Sequence, residues 1–191
     1  MSSYPTPLGS ETPKSTGKLN LTYQQKSGDV TDDDRNNGII LRVTKDGEVV
    51  DPATNAVLGK SDKKSRSRCC LGGGPEMYVG TSDQIRRQDE DGDHVTIKAK
   101  AQGDRAKFKL IKGDKGKEIG LMKGSHGTKF SVKLGGTKVA NIKWKKKTLG
   151  AGKFEIEIME PGVDIAFLCL LCLAIPNFDI ARSRTNTVYH W

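Results

Sequence analysis

The chain has no long apolar stretch, little aromatic side chain, few cysteines and almost no acid over much of its second half. Its longest uninterrupted apolar run, Ile165 to Ile175, is about half of the ~20 residues a membrane-crossing helix needs. Aromatics make up only 6%, a modest supply for a core and for stacking bases. The four cysteines, Cys69, Cys70, Cys169 and Cys172, do not have the spacing of a disulfide framework. Met1 to Gly17 is rich in Pro, Ser and Thr and has no apolar h-region, so no secretory leader is expected. A reducing compartment follows. The ends also lack a myristoylation start and a prenylation motif.

Catalytic and metal signatures are missing as well. His94, His126 and His190 have no partners at triad or metal-ligand spacing. Gly72-Gly73-Gly74 is not followed by the Gly-Lys-Ser/Thr of a phosphate loop. Asp89 to Asp93 lacks the ligand series and terminal Glu of a calcium loop and reads as a polar turn. Cys169 and Cys172 have the spacing of a zinc or redox pair, but no further ligands lie nearby. They read as small apolar residues. None of these motifs carries a catalytic or cofactor-binding signature.

Positive charge is abundant. The net charge is +9, which favours an acidic partner. Between Lys98 and Lys153 there are 17 Lys and Arg against 3 acids, so that segment carries about +14 and the rest about −5.

The same segment alternates. Val95 to Ala101, Lys107 to Leu110, Phe130 to Leu134, Ala140 to Trp144 and Phe154 to Ile158 place apolar residues at every second position. Period two with charged alternates predicts half-buried antiparallel strands. Glycine turns separate them, as at Gly103-Asp104, Gly135-Gly136 and Gly150-Ala151-Gly152. Earlier, Lys18 to Gln24 reads as a strand with Leu19, Leu21 and Tyr23 on one face. Lys26 to Asn37 reads as a loop. Gly38 to Thr44 and Glu48 to Val50 flank a Lys45-Asp46-Gly47 hairpin turn. Ser61 to Gly74 is basic, then glycine-rich, and reads as an exposed loop.

The run Ile165 to Ile175 is apolar on every helical face, so it must be surrounded. Asp164 is placed to cap it and Pro176 to stop it. A meander that closes into a barrel would enclose such a helix and would remove its own edge strands.

The stretch Lys138-Val-Ala-Asn-Ile-Lys-Trp-Lys-Lys-Lys147, then Phe154 to Ile158, Pro161-Gly162-Val163-Asp164 and the apolar run resembles the end of the LURP-one-related family. That family is similar in fold to the Tubby C-terminal domain and to phospholipid scramblases. The resemblance implies a mainly β fold: a closed antiparallel barrel of roughly twelve strands around a central apolar C-terminal helix. It implies no catalytic apparatus, and relatives that bind phosphoinositides or associate with membranes. The expected organisation is a disordered tail at 1–17, a barrel domain at 18–176 with its loop at 61–74, and a C-terminal tail at 177–191.

The densest basic cluster is Lys143, Lys145, Lys146 and Lys147. Alternation turns Ala140, Ile142 and Trp144 inward and Lys143, Lys145 and Lys147 outward. Such a ridge can hold lipid phosphates, each Lys contributing about 1 kcal/mol near an anionic leaflet. The bland alternative is an edge strand protected from aggregation by charge. Lys98, Lys100, Lys107 and Lys109 point the same way and continue the patch. Cys69 and Cys70 follow Lys63, Lys64, Arg66 and Arg68, a setting for palmitoylation that would complete a two-signal anchor; two ordinary thiols are the alternative. Phe108, Phe130, Trp144 and Phe154 share faces with aliphatics, so no base-reading surface is visible.

The basic face and the resemblance together predict a non-enzymatic, intracellular, monomeric module that binds anionic phospholipid, in the cytoplasm and at the inner face of the plasma membrane, with the nucleus as a further location. A soluble protein-interaction or nucleic-acid-binding module is the runner-up. A lipid-scrambling transporter comes third, because its membrane span would be too short.

Overall fold

The computed structural model describes residues 5, 7–9, 12–63, 76–86, 93–102, 105–113, 116–125, 128–147 and 151–186. Twelve strands pair in sequence order, each antiparallel to the next, and the first pairs with the last. They are β1 (Leu19–Gln24), β2 (Asp29–Asp32), β3 (Gly38–Val43), β4 (Glu48–Val50), β5 (Val57–Lys63), β6 (Glu76–Gly80), β7 (Val95–Gln102), β8 (Arg105–Lys112), β9 (Glu118–Ser125), β10 (Lys129–Leu134), β11 (Thr137–Lys145) and β12 (Lys153–Ile158). Closure is in register over the whole of β1, from Leu19 opposite Ile158 to Gln24 opposite Lys153. The closed barrel and the meander order agree with the sequence reading.

The alternating side chains explain why the sheet curls. On β10 Phe130, Val132 and Leu134 are buried, and on β12 Phe154, Ile156 and Ile158. Their alternates stay at the surface, so one face must find cover and closing on itself supplies it. Where two large residues would collide, the barrel uses glycine. Gly124 lies opposite Phe130, and a Cβ on it would sit 2.3 Å from the ring. Gly120 lies opposite Leu134 and has no room either.

Four strands and a short helix went unread in the sequence. The stretch 26–37 contains β2, and Ser61 to Lys63 belongs to β5 rather than to an exposed loop. The strands β6 and β9 and the helix α1 (Ser82–Arg86) complete the differences. A reciprocal capping box starts α1: the Gln84 N–H donates to Thr81 Oγ1 (3.3 Å), and the Thr81 N–H donates to Gln84 Oε1 (2.7 Å). The Asp46-Gly47 turn is as expected, with Gly47 at φ +77°.

The last element, α2 (Ile165–Asn186), is helical straight through Pro176, which corrects the expected stop; it takes in 177–186 of the expected tail, and 187–191 lie outside the described residues. Proline fixes φ at a helical value; it removes one N–H and crowds the preceding turn, which weakens a helix without obliging it to end. Every residue from Ile165 to Cys172 is buried and shares one core with the inward strand residues. Asp164 caps the start, accepting from the Phe167 N–H at 3.0 Å.

The first residues are also not a loose tail throughout. Leu8, Thr12 and Ser15 are buried. Ser15 brackets the Pro161-Gly162 turn: its N–H donates to the Val163 carbonyl (2.9 Å), and the Gly162 N–H donates to its carbonyl (2.6 Å). The buried Asp164 carboxylate takes a hydrogen bond from Thr12 Oγ1 (2.8 Å) and an ion pair from Lys14 Nζ (3.0 Å). A charge buried at the end of the chain recruits partners from the beginning, because an unpartnered one would be costly.

Candidate functional site

The meander stacks outward residues of successive strands into transverse rows. One row runs Lys107, Lys123, Ser131, Asn141, Glu157 and Asn20, each directly opposite the next, from β8 to β1. None of the six is buried. The adjacent row carries Lys129, Lys143 and Glu155. These two rows line a cleft of about 990 Å³, to which Asp33 also contributes.

Charge is distributed unevenly across this face. Lysine stands opposite lysine at Lys98 and Lys109, Lys100 and Lys107, Lys107 and Lys123, Lys129 and Lys143, and Lys133 and Lys138. Like charges directly opposite each other destabilise a sheet, by about 0.2–1 kcal/mol a pair. Some are relieved: Lys109 pairs with Glu118 at 3.0 Å, and Lys98 lies 4.0 Å from Glu76. Lys107, Lys123 and Lys129 have no acidic partner among the described residues.

The predicted ridge is present and partly neutralised. Lys143 and Lys145 project outward as expected, but both turn to Glu155, which Lys153 also reaches at 3.0 Å. The hydrogen bond from Lys145, with that from Lys153, holds the Glu155 carboxyl below its usual range against the opposing effect of burial. Lys146 lies 5.4 Å from the Trp144 ring centre, and Lys147 is exposed. Lys98 is half-buried, and Lys100 is placed by register alone. Cys69 and Cys70 lie outside the described residues.

Lys123 and Lys129 were missed as site residues. Lys123 sits on β9, where the inward positions are Gly120, Met122 and Gly124, so the apolar alternation that marks a strand is erased by glycine.

The remaining candidates are placed as follows. Cys169 and Cys172 are fully buried in α2. Burial, and then the Asp164 charge, pushes the Cys169 thiol up to about 12. No cluster among the described residues could hold a metal ion. Trp144 stacks on Phe154, which stacks on Tyr23, all buried. These rings are core, and none is offered to a base. Among the described residues no helix is long and apolar enough to cross a membrane.

Residues 19–176, from the first residue of β1 into α2, match the model of the LURP-one-related family, and the chain belongs to that family. No curated protein and no solved structure gives a match.

Proposed function

We propose that this LURP-one-related barrel is a non-enzymatic module that binds acidic membrane lipid, phosphoinositide-like, through the basic outer face of β7–β11. The observation that carries the reading is the register of lysine against lysine across that face. A folded sheet bears this repulsion at a cost, and an anionic leaflet removes it, each Lys then gaining about 1 kcal/mol. Lys107, Lys123 and Lys129 take the leading role, because Lys143 and Lys145 are already engaged by Glu155. In this reading α2 is the axle of a Tubby-like barrel, supported by burial from Ile165 to Cys172. Membrane contact is peripheral, at the inner face of the plasma membrane, and lipidation of Cys69 and Cys70 would supply a second anchor.

Co-sedimentation with liposomes tests the proposal. Binding should rise steeply with phosphoinositide content, fall as salt is raised and drop at least tenfold, about 1.4 kcal/mol, in a Lys107→Gln, Lys123→Gln, Lys129→Gln variant. Equal binding to neutral liposomes, or full binding by the variant, would refute it.

A further inference from the structure

An anionic leaflet accounts for one end of the cleft and not for the other. Beyond the lysines of β8–β10 the same row passes through two neutral hydrogen-bonding residues, Ser131 and Asn141, to the exposed carboxylate of Glu157. The Asn141 amide donates to Glu157 at 2.7 Å, and among the described residues no cation pairs with that carboxylate. Asp33, on the same wall, accepts from Thr22 Oγ1 (2.8 Å) and Thr31 Oγ1 (3.4 Å) and likewise has no cation. Among the described residues the cleft is therefore bipolar, with lysines that have no acid at one end and carboxylates that have no cation at the other.

From these features we infer that the cleft docks an extended polypeptide segment of another protein, acidic in one half and basic in the other. Length and charge order select this occupant. The row crosses five strand spacings, about 24 Å, which is the reach of about seven extended residues. An anionic leaflet presents one sign of charge, so it would neutralise the lysine end and be repelled by Glu157 and Asp33 at the other. A nucleic acid carries one sign of charge throughout and would be repelled by Glu157 and Asp33. A bipolar segment satisfies both walls, and Ser131 and Asn141 face its middle with groups suited to backbone amides. This goes beyond the membrane reading: the lysines serve either occupant, whereas the acidic wall serves only the peptide.

The test uses two labelled peptides of about seven residues and identical composition, followed by fluorescence anisotropy on the full chain at 0.15 M salt. One has a glutamate block, a serine and a lysine block; in the other the charges alternate. The block peptide should bind roughly tenfold tighter, since net charge is matched and only charge order differs. The pair Glu157→Lys and Asp33→Asn should abolish that preference; the asparagine keeps one of the two oxygens that accept from Thr22 and Thr31, and an unchanged thermal midpoint shows the barrel intact. Equal affinity for the two peptides, or a preference that survives the paired substitution, would overturn the inference. Liposome binding that needs the lysines and is indifferent to Glu157→Lys, alongside equal peptide affinities, would leave only the membrane reading standing.

Discussion

At the scale of single residues, the sequence reading succeeded where chemistry is local. The cap at Asp164 lies at its own helix start, and the burial of Cys169 and Cys172 follows from a run with no polar face. The thiols lead to a prediction. Their titration is displaced upward by burial, from the ordinary 9.0 to about 12 for Cys169, and Cys172 is raised in the same sense. Between those values the unfolded chain loses protons that the folded chain keeps, so stability is present below pH 9 and falls as pH rises toward 12. In a Cys69→Ser, Cys70→Ser variant, a thiol reagent at pH 8 should label Cys169 and Cys172 only after denaturant is added. Labelling of the folded protein at the rate of a free thiol would show that α2 is not enclosed. Lys123 and Gly124 mark where residue-level reading failed. Gly124 is small because Phe130 occupies its place from across the ladder, and no inspection of β9 alone reveals that.

At the scale of elements, the best-read strands were those whose own alternation is complete, such as β10 and β12. The missed ones draw their definition from partners. The strand β2 is only four residues, Asp29–Asp32, and its alternation has a single apolar side chain, Val30. Residues 12–15 were misjudged for the same reason: their composition is that of a linker, and their placement comes from Asp164 and the Pro161-Gly162 turn. Deleting residues 1–15 should therefore lower stability by about 2–4 kcal/mol, from the burial of Leu8 and the loss of partners to a buried carboxylate. Urea unfolding of the truncated chain checks this, with the midpoint expected to drop while the slope stays nearly unchanged. An unaltered midpoint would mean that Thr12, Lys14 and Ser15 decorate the barrel without supporting it.

At the scale of the whole molecule, the charge imbalance was readable from composition, but its arrangement was not, because which lysine faces which depends on register. Alternation along one strand says only that Lys143 and Lys145 point outward; closure and pairing bring them to Glu155 and leave Lys107, Lys123 and Lys129 with no acidic partner among the described residues. That arrangement predicts an opposition between stability and binding. Lys123 stands opposite Lys107 in the β8–β9 ladder and opposite Ser131 in the β9–β10 ladder. Lys123→Glu converts a repulsive cross-strand pair into an attractive one, so the folded protein should gain about 0.5–1 kcal/mol, an increment measurable by denaturant or thermal unfolding. The gain should shrink as salt is raised, because the charges are exposed and screened. The same variant should bind anionic liposomes more weakly. A surface selected only for solubility would have no reason to keep a lysine whose replacement strengthens the fold; one that meets an anionic partner has such a reason. If Lys123→Glu leaves stability unchanged or lowers it, the lysines of this face are well solvated and cost nothing, and the electrostatic case for a partner falls with them.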